Sequence, residues 1–212
     1  MTLSRGRFIT LEGLEGVGKT TNRQLIESQL KQAGIDYIAT REPGGTEIGE
    51  QLRELVLHAH GSMQAQTELL VMAASRLEHV AQKIEPALQQ GQWVLCDRYL
   101  DASVAYQGAG RELGVERVIE LHSLMGLTLT PDITLLLDMP VEAGLARMAA
   151  RGKPDRIERE TVAFFERARA AYLAQASLHP DRIHTIDAAQ TPEQVGSVVS
   201  AIVNEFIQAQ RR

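Results

Sequence analysis

Short apolar runs alternate along the chain with longer stretches in which apolar positions recur every three or four residues. Phe8-Ile9-Thr10-Leu11-Glu12 reads as a first strand entering a glycine loop, and Lys19 to Ala33 as a helix stopped by Gly34. Ile35 to Thr40 and Trp93 to Asp97 read as the second and third strands. Asp132 to Asp138 is a fourth, and its continuous Ile133-Thr134-Leu135-Leu136-Leu137 is the pattern of a strand buried on both faces. Arg182 to Asp187 is a fifth. Helices are predicted over Thr46 to His58, Gln64 to Gln90, Val115 to Met125, Val141 to Ala150, Glu160 to Ser177 and Thr191 to Gln210. Strands separated by helices imply right-handed crossovers, so the expected fold is α/β, a five-stranded parallel sheet with helices on both faces. The run Arg151-Gly152-Lys153-Pro154-Asp155-Arg156 breaks two helices with Gly, Pro and charge. It suits a mobile flap or an ordinary connection.

Composition narrows the class. A chain of 212 residues suits one domain, expected here as 1–212, and at this size roughly 70% of the unfolded surface is buried. The net charge of -5 argues against a general nucleic-acid binder, which needs a clustered basic surface. Cys96, the only cysteine, excludes an internal disulfide and reads as a packed small hydrophobe. The six histidines show no metal-ligand spacing. No signal peptide is visible, and the longest apolar run, Leu69 to Ala74, is far short of the ~18 residues of a membrane span. A cytoplasmic enzyme with no membrane or nucleic-acid partner is the expectation.

Gly13-Leu14-Glu15-Gly16-Val17-Gly18-Lys19-Thr20 fits G-x-x-x-x-G-K-[ST] between a strand and a helix. The glycines let backbone N–H groups converge on phosphate oxygens, and the helix N-terminus adds its dipole. Lys19 is expected on the β- and γ-phosphates of ATP, with the Thr20 hydroxyl on Mg²⁺ and Thr21 beside it. Glu15 is costly in a polyanion cradle unless it points outward, to the metal or a hydroxyl-bearing acceptor; a solvated loop acid is the plain alternative. Two strand ends offer a metal carboxylate, Asp97 and Asp138, and spacing does not choose between them. Asp97 is favoured because Arg98 follows it directly.

A guanine-reading N-K-x-D is absent, as is L-S-G-G-Q, which removes the ordinary GTPase and ABC ATPase readings. Thr20 stands where an adenylate-kinase cradle has Gly. The runs Arg41-Glu42-Pro43-Gly44-Gly45-Thr46, Asp97-Arg98-Tyr99 and Ala105-Tyr106-Gln107-Gly108 follow the cradle in order. Together they closely resemble the thymidylate kinase family, from residue 8 to about residue 187. The resemblance implies a P-loop kinase fold with a short lid at about 150–160, phosphorylation of dTMP to dTDP by ATP, and a homodimer.

The resemblance also implies roles. Glu15 would approach the 3′-hydroxyl of dTMP, and Arg76 and Arg98 would hold its phosphate. Ser103 and Gln107 would address the thymine edge, Tyr106 would crowd the sugar, and Glu42 and Pro43 would line the acceptor pocket. Met72 stands where the family usually has an aromatic ring against the thymine, and Ser75 where Asp or Ala is common. Members with no arginine in the cradle supply the catalytic guanidinium from the lid, here Arg151 first and Arg156 second, with Arg147 on adenine and Arg159 flanking. Two competing readings remain. A deoxynucleoside kinase would leave Arg76 and Arg98 without an anion, and a non-catalytic nucleotide-binding module predicts loss of Lys19, Asp97 or the lid arginines.

Overall fold

A computed structural model describes residues 5–59, 61–150 and 154–210. Five strands form one sheet: β1 (Phe8–Glu12), β2 (Tyr37–Arg41), β3 (Trp93–Asp97), β4 (Ile133–Asp138) and β5 (Ile183–Asp187), in the order β2-β3-β1-β4-β5. Every pairing is parallel, with Ile9 opposite both Leu95 and Ile133. Parallel strands deliver their C-terminal ends to one edge, so the loops after β1, β2 and β3 meet there.

Both faces are covered. Ile9, Leu11 and Leu95 enter the larger apolar cluster, whereas Phe8, Val94 and Cys96 enter the smaller one, the period-2 alternation of a strand packed on two sides. The one polar pair between β1 and β4, Thr10 and Thr134, is satisfied internally, oxygen to oxygen at 2.7 Å.

The helices follow the predicted spans to within two residues: α1 (Lys19–Gln32), α2 (Glu47–His58), α3 (Ala65–His79) and α4 (Glu85–Gln89). A wide π-type turn, Val80–Ile84, joins α3 to α4, so the single helix expected over 64–90 is bent in register rather than broken. Further on are α6 (Val115–Leu124), α7 (Val141–Ala149), α8 (Val162–Leu178) and α9 (Pro192–Ala209). The termini are locally encoded. Thr46 and Thr161 accept from backbone N–H groups at the starts of α2 and α8, and Thr191 with Gln194 forms a reciprocal capping box on α9.

One element was not expected. Residues 100–110 form α5 (Leu100–Ser103) continuing into a second π-type stretch, Val104–Gly110. Its two glycines and lack of an amphipathic stripe disguise it, because nearly every side chain in it is buried. Gly110 is required by packing, since a Cβ there would lie 2.6 Å from the Phe164 ring. Among the described residues no helix is long and apolar enough to cross a membrane.

The loop after β1 packs backbone to backbone on α7. A Cβ on Gly16 (φ +75°) would fall 2.0 Å from the Gly144 carbonyl oxygen, and a Cβ on Gly144 would fall 2.7 Å from that of Glu15. Gly144→Ala is therefore expected to lower stability by about 1–3 kcal/mol, the usual cost of overpacking. Urea unfolding checks this; a midpoint equal to wild type would mean that the contact yields freely.

Candidate active site

The three loops meet around a cavity of about 200 Å³. It is lined by Glu15, Gly16, Val17, Gly18, Lys19 and Thr20 of the phosphate loop, by Glu42, Pro43, Arg53, Met72, Tyr106 and Gln107, and by Asp97 and Arg98. Asp155, Ile157 and Glu158 line it as well. Gly13 and Leu14 lie in the loop's base, where their carbonyls accept from Lys19, and Thr21 is exposed on α1 away from the cavity lining.

The cradle is preformed. Gly18 caps α1 in the left-handed region (φ 91°), a conformation that a side chain resists, and starts the helix with free N–H groups. Lys19 Nζ donates to Gly13 O at 3.0 Å and Leu14 O at 2.7 Å, so the ammonium is folded over its own loop. Burial, then the charge of Arg98, pull its pKa down to about 8 against the opposing pull of Asp97, Glu15 and Glu12.

Arg98 is the centre of the site. Among the described residues it is one of two non-glycine residues in the left-handed region, at φ 69°, directly after β3. Its guanidinium pairs with Glu15 at 2.7 Å, donates to Tyr172 Oη at 3.3 Å, and lies over the Tyr106 ring at 4.7 Å. Tyr106 in turn donates to the Glu15 carboxylate at 2.8–2.9 Å. Behind Arg98, Tyr172 Oη donates to Glu12 at 2.7 Å, and Glu12 also accepts from Tyr99 N. Burial, with the charge of Asp101 second, pushes Glu12 up to about 8.

The two strand-end acids are distinguished by their surroundings. Asp138 is held at both oxygens by Arg169, each at 2.8 Å. Asp97 lines the cavity, and its Oδ1 is buried without a partner among the described residues. An orphaned carboxylate oxygen beside the Thr20 side of the cradle fits a hard cation that takes few protein oxygens and completes its shell with phosphate and water. Among the described residues no group of three or more His, Cys, Asp or Glu side chains is arranged to hold a metal.

Several of the expected site residues lie outside the cavity lining. Arg76 does not face the cavity: it is 1% exposed and lies beneath the floor. Its Nε donates to Glu42 at 2.6 Å, Nη1 to Ser103 at 2.9 Å and to His122 Nε2 at 2.6 Å, and Nη2 to Tyr99 O at 2.8 Å. Its donors are engaged there, with Nε on Glu42, where the resemblance implied a hold on the acceptor phosphate. His122 accepts from it as a neutral ring, because burial and the Arg76 charge push its pKa down to about 4 and its Nδ1 faces Val118 O at 2.7 Å. Ser103, fully buried on Arg76, likewise lies outside the cavity lining. The lid alternative Arg156 is anchored away from the cradle, donating to Val56 O and Glu68, each at 2.7 Å. Arg147 is exposed on α7, its Nη1 donating to Ala188 O at 3.1 Å. Arg159 donates to Pro154 O, and Arg151 lies outside the described residues.

Sequence reasoning missed Arg53. It lies on α2 and lines the cavity with Leu57 one turn later, and its Nη1 donates to Pro43 O at 3.0 Å. The available signal was the i, i+4 spacing of Arg53 and Leu57 on the helix that the Pro43 loop launches.

Against this geometry, the thymidylate kinase family model matches residues 11–199. A thymidylate kinase of Pseudomonas entomophila is 51% identical over 93% of this chain and 95% of its own length. One from Bordetella petrii is 52% identical over 93% and 95%. One from Alkalilimnicola ehrlichii is 52% identical over 91% and 90%. A phosphate loop facing an arginine-lined pocket, in a chain matched along nearly all its length, makes this protein a member of the thymidylate kinase family.

Proposed function

We propose that this chain, a single domain with a short lid, transfers the γ-phosphoryl group of ATP to dTMP, giving dTDP and ADP. The observation that carries the reading is one cavity lined both by the phosphate loop and by Met72, Tyr106 and Gln107. Arg98 lines the same cavity and would stand where two phosphate groups meet. In the transfer, an oxygen of the dTMP phosphate forms a bond to the γ-phosphorus as the bond to the β-bridging oxygen breaks. The chain's part is positioning and charge neutralisation.

Lys19 would exchange its loop carbonyls for the β- and γ-phosphate oxygens. Arg98 would bind the acceptor phosphate with a fork that carboxylate and phosphate both fit, and Arg53 would approach the same group from α2. Glu15 would be freed to meet the sugar hydroxyl, with Tyr106 packed beside it. Arg147 would lie on the adenine ring. Asp97 and Thr20 would hold Mg²⁺, which when bound neutralises phosphate charge. Leu70 and Leu77, seven residues apart on α3, are 56% and 38% exposed, which supports a homodimer covering that face. A cytoplasmic location belongs to the same reading.

A coupled ADP-release assay across dTMP, dUMP, UMP and thymidine tests the assignment. Turnover is expected to be highest with dTMP and absent with thymidine, which offers Arg98 no anion. Thymidine turning over as well as dTMP would establish a nucleoside kinase instead.

Lys19 sets a pH dependence. Phosphate binding favours the ammonium, which is present below its pKa of about 8 and lost as pH rises through it. ATP affinity should therefore fall about tenfold between pH 7 and pH 9, since each unit above the pKa removes a factor of ten. Calorimetry on wild type and Lys19→Met checks this, and a step that persists in the variant belongs to another group.

Arg151 is proposed as the guanidinium that stabilises the transferred group. Arg151→Ala should cut kcat by about a hundredfold or more with little change in dTMP affinity, the pattern of a transition-state contact. Retention of most of kcat would remove Arg151 from the chemistry.

A further inference from the structure

Glu68 on α3 is a fully buried charge with no assigned part in the reaction. Its carboxylate accepts from Gln107 Nε2 at 2.8 Å, from Arg111 Nε at 3.1–3.2 Å, and from Arg156 Nη2 at 2.7 Å. Burial works to raise its pKa, but the hydrogen bonds from Arg111, Gln107 and Arg156 and the charge of Arg111 outweigh it and hold the group below the usual carboxylate range. Glu68 is thus an anion that can only accept.

That property has a geometric effect on Gln107. A primary amide carries one oxygen and one NH₂ at its tip, so fixing the nitrogen on Glu68 turns the oxygen the other way. Gln107 is 1% exposed, lines the cavity, and its Oε1 is buried without a partner among the described residues. A buried acceptor left unpaired destabilises the free protein, and a donor on a ligand removes that cost. Thymine and uracil carry an N3–H donor between two carbonyls. Cytosine presents a lone pair at N3, which would face the lone pairs of Oε1.

We propose that Glu68 sets the hydrogen-bonding polarity of the acceptor-base pocket, holding the Gln107 amino group so that the pocket accepts from an imide N3–H and rejects cytosine. Glu68 acts through Gln107 and is a positioning residue. The inference rests on the reading of this cavity as the dTMP site.

The test compares dissociation constants of dTMP, dCMP and ATP for wild type and Glu68→Gln by calorimetry. The variant side chain is nearly isosteric but can donate or accept, so Gln107 is free to turn. The ratio of the dCMP constant to the dTMP constant is expected to fall by at least about tenfold, with ATP affinity changed less than about twofold. A folded variant with the wild-type ratio overturns the proposal, whatever its thermal stability, because a merely structural glutamate would leave base preference alone. Wild type supplies a measurement that does not depend on the variant folding. It should bind N3-methyl-dTMP at least about tenfold more weakly than dTMP, and equal affinity would overturn the proposal. Wild type that neither binds nor phosphorylates dTMP would overturn the assignment of the cavity itself, a result separable from failure of the Glu68 role alone.

Discussion

The guanidinium of Arg76, almost without solvent exposure, lies among the loop after β2, the segment that begins at Tyr99, α5 and α6. Removing such a charge from water is costly and is offset only when the surrounding partners are in good geometry. Glu42, Ser103, His122 and the Tyr99 carbonyl meet that condition together. Glu42 is itself held from the other side by His79 Nδ1 at 3.0 Å, whose Nε2 lies 2.7 Å from the Thr40 hydroxyl. Shifting any one loop would leave a buried charge underpaired. The pocket floor therefore moves as a unit or not at all.

Above that floor the chemistry-bearing groups answer one another. Glu15 and Arg98 form an ion pair, and Lys19 rests on two carbonyls of its own loop. These internal contacts occupy donors that phosphate oxygens would otherwise take. Binding is then an exchange of partners rather than an uncovering of bare charges, which limits the desolvation needed when a polyanion arrives. The Glu12–Tyr172 relay behind Arg98 keeps the guanidinium aimed while its front partner changes.

Much of this was legible in the sequence, and the reason differs by element. The phosphate loop is encoded locally: glycines at fixed spacing, a strand before and a helix after. The inner strands β1, β3 and β4 stood out because buried parallel strands are nearly continuous apolar runs, whereas the edge strands β2 and β5 are mixed and were marked by their place between helices. The segment 100–110 did not, since a helix buried nearly all round has no stripe, and π-type turns shift what periodicity remains. Arginines were the hardest residues to assign. Arg76 and Arg98 look alike as residues that could hold phosphate, yet one packs under the floor and the other stands in the cavity. Burial of that kind follows from tertiary contacts such as those with Ser103 and His122, which sequence spacing does not carry. Arg53 was overlooked because it reaches the cavity from a helix whose pattern otherwise reads as an ordinary amphipathic one.

The backbone at Arg98 has a consequence of another kind. A non-glycine residue at φ 69° resists its own conformation by about 1–2 kcal/mol, a strain that glycine would not feel. Backbone strain taken alone would favour glycine at that position, whereas the ion pair with Glu15, the Tyr106 ring contact and phosphate binding all oppose it. Position 98 is thus a point where backbone ease and side-chain chemistry pull in opposite directions. Engineering that scores backbone geometry alone would nominate Arg98→Gly and disarm the site.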